Sequence, residues 1–454
     1  VKREEVSFVG DRIYTDVKTR TGGLFTTHNY LVKSKDIRGG WSEPVYLNSS
    51  GFDPSVFHDT DGKMYIVNMI NNFKGILVQE YDPVQERLVG EAKNVFPGTG
   101  RGYTEGPHIY HIGDYYYLLM AEGGTGYDHM VTMARAKSIW GPYEEDPGNP
   151  VLTSDMENPD ELQRCGHADI VCTQNGEWYM VHLCGRPPKG SRQCVLGRET
   201  AIQKMVWNEE GWLRMVCGGN FGQWETEEPE GLAECIFLEE AGKDYGRDDF
   251  DIETLDVRYT SLRQPYDSYT SLTERPGYLR LYGQESLNSC YNVSLVARRQ
   301  MQRYVQVETC VEFTPTCREQ MAGLAYMYDT GNFYLLVKTR DEEFGNQTLD
   351  LKSPAKLRLI KSDHFDVTDV IPEISIPEET PLFLRVVTTQ EGLYAKFFYS
   401  LDGKEYKELA ELPTKILTDE QSDGFTGAHF GMYCHDMTGL RRYADFDYFE
   451  MKLC

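Results

Sequence analysis

Apolar residues in the first half of the chain alternate or run on in short blocks. They do not recur at three and four positions, so the pattern predicts strands and disfavours helical repeats. Four blocks share one design, a turn followed by an aromatic-rich strand: VGDRIYTDVK, TDGKMYIVNM, IGDYYYLLMA and NGEWYMVHLC. Their turn glycines are Gly10, Gly62, Gly113 and Gly176, at intervals of 52, 51 and 63 residues. A second marker keeps the same period: Ile37 lies 27 residues after Gly10 in SKDIRGGWSEPV, and Ile139 lies 26 after Gly113 in AKSIWGPYEEDP. A period near fifty, built of turns and short strands, predicts the blades of a β-propeller. Each blade is a small antiparallel sheet that buries its faces only against its neighbours.

The repeat places three polar residues in register. Asp53 stands nine residues before Gly62, Glu105 eight before Gly113, and His167 nine before Gly176. All three fall where the strand before the turn begins. In a propeller that strand lines the central channel, so equivalent positions converge at one mouth. Any one alone reads equally well as a capped strand end. Two acids and an imidazole in register point to a site.

The repeat is lost near Tyr245, where GKDYGRDDFDIETLD has the polar, glycine-containing character of a joining segment. Strand-like runs follow, among them SLVARR, VQVETCVEF, NFYLLVKT and HFGMYCHD, separated by turns such as Asp402-Gly403. The pattern predicts an all-β chain with a propeller over residues 1–244 and a β-sandwich over 245–454.

Composition narrows the function. The formal net charge of −25 disfavours nucleic acid and anionic membrane as partners and leaves neutral ligands unaffected. Eleven cysteines without C-x-x-C pairs fit free thiols in a reducing compartment better than a disulfide framework or a zinc site, which favours a cytoplasmic location. No run reaches transmembrane length. GTGRG and GGTG lack the G-K-[ST] of a phosphate loop, and His108 and His111 lack the glutamate of a zincin. The odd spacing of those two histidines sends their rings to opposite faces of a strand.

Two carboxylates at a channel mouth suit acid–base cleavage of a glycosidic bond. Tyr103 and the Gly-Pro break give Glu105 an apolar setting, and Asp53 adds a like charge. Both favour a carboxyl group that stays protonated and can donate. Glu105 is therefore the expected acid, and Asp53 the residue that orients and tunes it. Arg198 in VLGRETAIQK either clamps sugar hydroxyls or forms a surface ion pair. His167 hydrogen-bonds within the channel, neighbours a bound cation, or is a satisfied core histidine.

SSGFDPSVFHDTDGKMY, YTEGPHIYHIGDYYYLLMAEGGTGYDH, CGHADIV and LGRETAIQ resemble the β-xylosidases of glycoside hydrolase family 43, and the resemblance runs over nearly the whole chain. It implies a five-bladed propeller followed by a β-sandwich. It also implies an inverting, exo-acting hydrolase that releases xylose from the non-reducing ends of xylo-oligosaccharides, with α-L-arabinofuranosidase activity in many members. By that resemblance Glu105 is the general acid and Asp53 the carboxylate that tunes and holds it. Arg198 and His167 lie near the substrate, Thr125 in EGGTGY lines the pocket, and Phe425 in SDGFTGAHFGMYCHD is an aromatic that the sandwich contributes to the pocket wall. A calcium ion near His167 and a homotetramer are compatible with it.

One part of the family pattern is missing. The family's general base is an Asp in an N-P-D-P-S-type motif, and FDPS at 52–55 matches the acid-tuning position instead. About four blades are expected here against the family's five. The sequence is thus expected to be a base-less part of such an enzyme, with little hydrolysis unless extended upstream. The alternative is a non-catalytic sugar-binding or scaffold protein derived from one. An arabinan-directed enzyme is a weaker reading, because the Phe425 loop would narrow the channel to a pocket.

Overall fold

The computed structural model describes residues 6–15, 25–155, 157–158, 162–231, 245–341, 354–422 and 424–454, with side chains from Thr27 onward. Cys235 and the first three residues of the joining stretch lie outside them. The chain divides into two units. The first comprises residues 1–185 and 199–232, the second 186–198 and 233–454. The sequence reading put one boundary after residue 244. The segment 186–198, threaded between two strands of the first unit, belongs instead to the second.

The first unit is a row of antiparallel sheets in chain order. The first holds β1 (Val6–Thr15), β2 (Phe25–Ser34) and β3 (Val45–Asn48). The second holds β4 (Ser55–His58), β5 (Met64–Met69), β6 (Ile76–Asp82) and β7 (Arg87–Phe96). The third holds β8 (Glu105–Ile112), β9 (Tyr115–Glu122), β10 (Met130–Ala136) and β11 (Glu144–Glu145). The fourth holds β12 (Gln163–Cys172), β13 (Trp178–Gly185), β14 (Glu199–Trp207) and β15 (Leu213–Met215). The leading strands β1, β4, β8 and β12 neighbour one another in succession, as the inner strands of propeller blades do.

Alternation in the aromatic strands records which neighbour each residue meets. In β9, Leu118 and Met120 join Tyr65, Val67 and Ile76 of the second sheet in one apolar cluster. Tyr117 and Leu119, on the opposite face, join Met180, Met205 and Leu213 of the fourth. In β5, Met64 and Ile66 pack on Leu31 and Leu47 of the first sheet. A blade buried on both faces needs apolar residues at consecutive positions, which explains blocks such as YYYLLMA.

The turn glycines Gly62, Gly113 and Gly176 have positive φ between the first and second strands of their sheets, as expected. Gly10 does not. It sits inside β1 opposite Tyr30, in a ladder unbroken from Val6–Ser34 to Thr15–Phe25. Continuous pairing outweighs the local turn preference of Gly10-Asp11. The second marker is unequal too: Ile139 is buried in the cluster between the second and third sheets, whereas Ile37 is 74% exposed.

The second unit is a pair of large antiparallel sheets with a shared core. The expected runs appear as Ser294–Arg299, Val305–Glu312, Phe333–Arg340 and His429–Asp436. Strands Ala355–Asp363, Lys407–Pro413 and Tyr443–Leu453 escaped the sequence reading. The last is central to its sheet, but a register shift opposite Cys310/Val311 breaks its alternation. The ten described cysteines are free. No helix among the described residues is long and apolar enough to cross a membrane.

Candidate active site

Glu105 opens β8 and is 5% exposed. A register shift follows it, between Glu105 and His108, so the strand begins with an irregular segment. Asp53 lies just ahead of β4 with φ of 51°. Its Oδ2 accepts a hydrogen bond of 3.0 Å from the backbone N–H of Gly106. Two residues on, Ser55 Oγ donates to the carbonyl of Pro107 at 2.6 Å. Asp53 and Ser55, at the entry to β4, thus grip the backbone that carries Glu105.

His167 also lies against this backbone. It sits in β12 at an irregularity between Gly166 and Asp169, with φ of 49°. A Cβ built on Gly106 would fall 2.8 Å from its Nε2. The structure therefore brings Asp53, Glu105 and His167 together around one peptide.

The loop before Glu105 is fixed through Glu122, which is fully buried at the end of β9. Glu122 accepts hydrogen bonds from Thr104 Oγ1 (2.7 Å), the backbone of Thr99 (3.0 Å) and Thr99 Oγ1 (2.5 Å). Tyr103, on that loop, lies edge-on to Phe73 at 5.1 Å, and Phe73 to Phe52 at 5.8 Å. Phe52, Phe73 and Tyr103 thus form an aromatic row at the loop that leads into Glu105.

Thr125 lies on the next loop, half-buried. That loop is tied back by Gly123 N–H to the Gly102 carbonyl (2.8 Å), and Gly124 lies against Tyr103. Two residues that sequence reasoning missed hold its far end. The Arg164 guanidinium lies 4.7 Å from the Tyr127 ring centre, and His129 Nδ1 donates to the Arg164 carbonyl at 3.1 Å. Arg164 is buried and is a strand residue in the sequence, with no local signal of its role.

His108 and His111 do point to opposite sides. His111 bonds Asp59 Oδ1 at 2.8 Å and stacks on Tyr116. His108 faces Asp169 and His167, and its pKa is lowered, chiefly by burial. Tyr110, on the same face, donates to Asp169, and burial pushes its hydroxyl well above the usual range. No group of three or more His, Cys, Asp or Glu that could hold a metal ion occurs among the described residues.

Arg198 and Phe425 belong to the second unit, where they form a pair. Arg198 ends the segment 186–198, one residue before β14, and is not in a strand as the sequence suggested. Its N–H donates to the Phe425 carbonyl at 3.1 Å, and its guanidinium lies 4.1 Å from the Phe425 ring centre. The close approach depends on Gly197 and Gly427. A Cβ on Gly197 would fall 2.3 Å from the Gly427 nitrogen. Arg299 Nη2 donates to the carbonyls of Leu196 and Arg198 and fixes the segment. Phe425 is 50% exposed, so its ring is available for contact.

Carboxylates gathered on the inner strands of a propeller, with a β-sandwich as second unit, define a class of glycoside-cleaving proteins, and sequence comparisons give the family. Residues 5–213 match the model of glycosyl hydrolases family 43, and residues 247–452 match the β-xylosidase C-terminal concanavalin A-like domain. A β-xylosidase of Bacillus subtilis (strain 168) is 43% identical, covering 97% of this chain and 84% of the relative. Xylosidase/arabinosidase 43B of Humicola insolens is 40% identical, covering 96% and 81%. The crystal structure of xylan β-1,4-xylosidase from Bacillus halodurans C-125 superposes with a TM-score of 0.87 at 43% identity, covering 98% of this chain and 84% of that one. The chain belongs to glycoside hydrolase family 43, in its β-xylosidase branch.

Proposed function

We propose that the protein removes single xylosyl units from the non-reducing ends of xylo-oligosaccharides by inverting hydrolysis, with a second activity on α-L-arabinofuranosides. Glu105 supplies the acid, and the general base that inversion also requires is not among the residues assigned here. The names of its relatives, β-xylosidase and xylosidase/arabinosidase, support both substrates. Glu105 protonates the leaving oxygen. Asp53 sets the position of Glu105 through Gly106, and His167 packs against the same residue. On the family pattern, Thr125 contacts the sugar.

The observation that carries this reading is the Asp53–Gly106 hydrogen bond. It connects the two carboxylate-bearing segments at the residue next to the buried Glu105, where a proton donor must be held to within a fraction of an ångström. Replacing Glu105 by Gln removes the proton and keeps the shape. The turnover number on xylobiose is expected to fall by roughly 10²–10⁴. An aryl xyloside whose phenol leaves without protonation is expected to lose far less. Equal loss on both substrates, or near-full activity on xylobiose, would exclude Glu105 as the acid.

A further inference from the structure

The second unit holds a polar pocket of about 330 Å³ whose lining includes neither Arg198 nor Phe425. Its floor is Lys338, a 1% exposed residue in the middle of a fully buried strand. The ammonium group donates to the carbonyls of Glu378 (2.6 Å) and Thr380 (3.3 Å). An ammonium has three N–H donors, so one remains for whatever occupies the pocket. Burial lowers the Lys338 pKa to about 8. A buried cation with an unused donor is costly unless an oxygen comes to meet it.

The other lining charges show what kind of oxygen fits. Arg275 is already paired with Glu312 (2.8 Å) and Asp445 (3.0 Å), and Glu378 is paired with Arg340 (2.5 Å). The Arg442 guanidinium and the Glu379 carboxylate, both on the lining, make no hydrogen bond or ion pair among the described residues. Thr314 and Thr380 add hydroxyl groups. Four carboxylates against three cations leave no surplus positive charge to attract an anion. The wall also includes Tyr443, 43% exposed, an aromatic of the kind that sugar rings stack on. Donors and acceptors that are free, balanced in charge and set beside an aromatic suit a neutral polyhydroxyl ligand. The volume lies at the lower end of the range for small-ligand pockets, ~300–1,000 Å³.

We propose that this pocket is a second sugar-binding site, taking one or two pentose units of a neutral oligosaccharide. The choice of a pentoside among neutral polyols rests on the function proposed above. A site of this kind would hold the enzyme on its polymer between cleavages.

The test uses the full chain and thio-linked xylobiose, which glycosidases do not cleave. Calorimetric titration is expected to show two binding events in the wild type. Arg442→Ala is expected to weaken one of them by roughly tenfold or more and to leave the turnover of xylobiose unchanged. Lys338→Met is expected to abolish the same event, with its melting curve checked because the lysine also ties two carbonyls. Arg442→Ala alone suffices if Lys338→Met does not fold. A single event in the wild type, two events indifferent to Arg442→Ala, or tighter binding of glucuronate than of the neutral sugar would overturn the proposal. The outcome does not depend on turnover. An Arg442-dependent event in a protein that fails the Glu105→Gln test would sink the catalytic reading and leave this site standing.

Discussion

At position 106 the backbone carries φ of 56°, and a methyl group there would press on the His167 ring at 2.8 Å. The left-handed conformation alone costs an L-residue roughly 1–2 kcal/mol. The contact adds a displacement of either the imidazole or the peptide that Asp53 holds. Gly106→Ala is therefore expected to reduce kcat/KM by roughly 10²-fold, as a misplacement of about 1 Å in the supporting shell does. The melting temperature should shift by only a few degrees. Steady-state kinetics and a thermal melt on the same sample check both. Loss of fold in step with loss of activity would mean that the glycine serves stability and not the site. Glu105 itself was legible in the sequence because the repeat put it in register with Asp53 and His167. Arg164 and Arg299 were not, because an arginine within a strand pattern carries no mark of the loop it fastens.

At the scale of the element, the strand His429–Asp436 shows how burial is converted into pH dependence. Its even positions Phe430, Met432 and Cys434 enter the core between the sheets, and Tyr433 enters a cluster on the other face. His429 and His435 share that second face, and burial lowers both to about 4. His435 Nδ1 accepts the Tyr433 hydroxyl at 2.6 Å, which fits a neutral ring. The unfolded chain takes up a proton on each at its ordinary value of about 6.5, and the folded chain only near 4. Between those values the unfolded state binds more protons. Stability is therefore complete above pH 6.5 and falls as the pH drops toward 4, by on the order of 3 kcal/mol for each histidine. His435→Gln keeps an acceptor for Tyr433 and does not titrate. It is expected to flatten the fall in melting temperature between pH 6.5 and 4, measured by calorimetry, and an unchanged acid limb would refute the assignment. The alternation of this strand was readable in advance. The Tyr443–Leu453 strand was not, because its bulge shifts the inward positions partway along.

For the molecule as a whole, the division of the chain matters more than the repeat suggested. Cys194, Val195 and Leu196 are buried in the core of the second unit with Tyr328, Leu417 and Ala428. The backbone there is paired as well, from Ala428 N–H to the Val195 carbonyl (2.7 Å) and from Asp419 N–H to Cys194 (3.2 Å). A chain cut after residue 231 would keep the segment 186–198 and lose everything it packs on. Such a fragment is expected to aggregate or to melt without cooperativity, because three buried apolar side chains and their carbonyls become exposed. Size-exclusion chromatography and calorimetry of the fragment check this. A monodisperse fragment with a sharp transition would show that the segment is dispensable to the first unit.

Three of the four turn glycines and the strand blocks were readable from local alternation, because strand periodicity and turn chemistry depend on residues two or three apart, and the fifty-residue repeat put Asp53, Glu105 and His167 in register. Contacts between distant segments have no such local signature. The grip on the Glu105–Gly106 peptide, the Arg198–Phe425 pair, the membership of 186–198 in the second unit and the pocket above Lys338 were decided only when packing brought separate strands together.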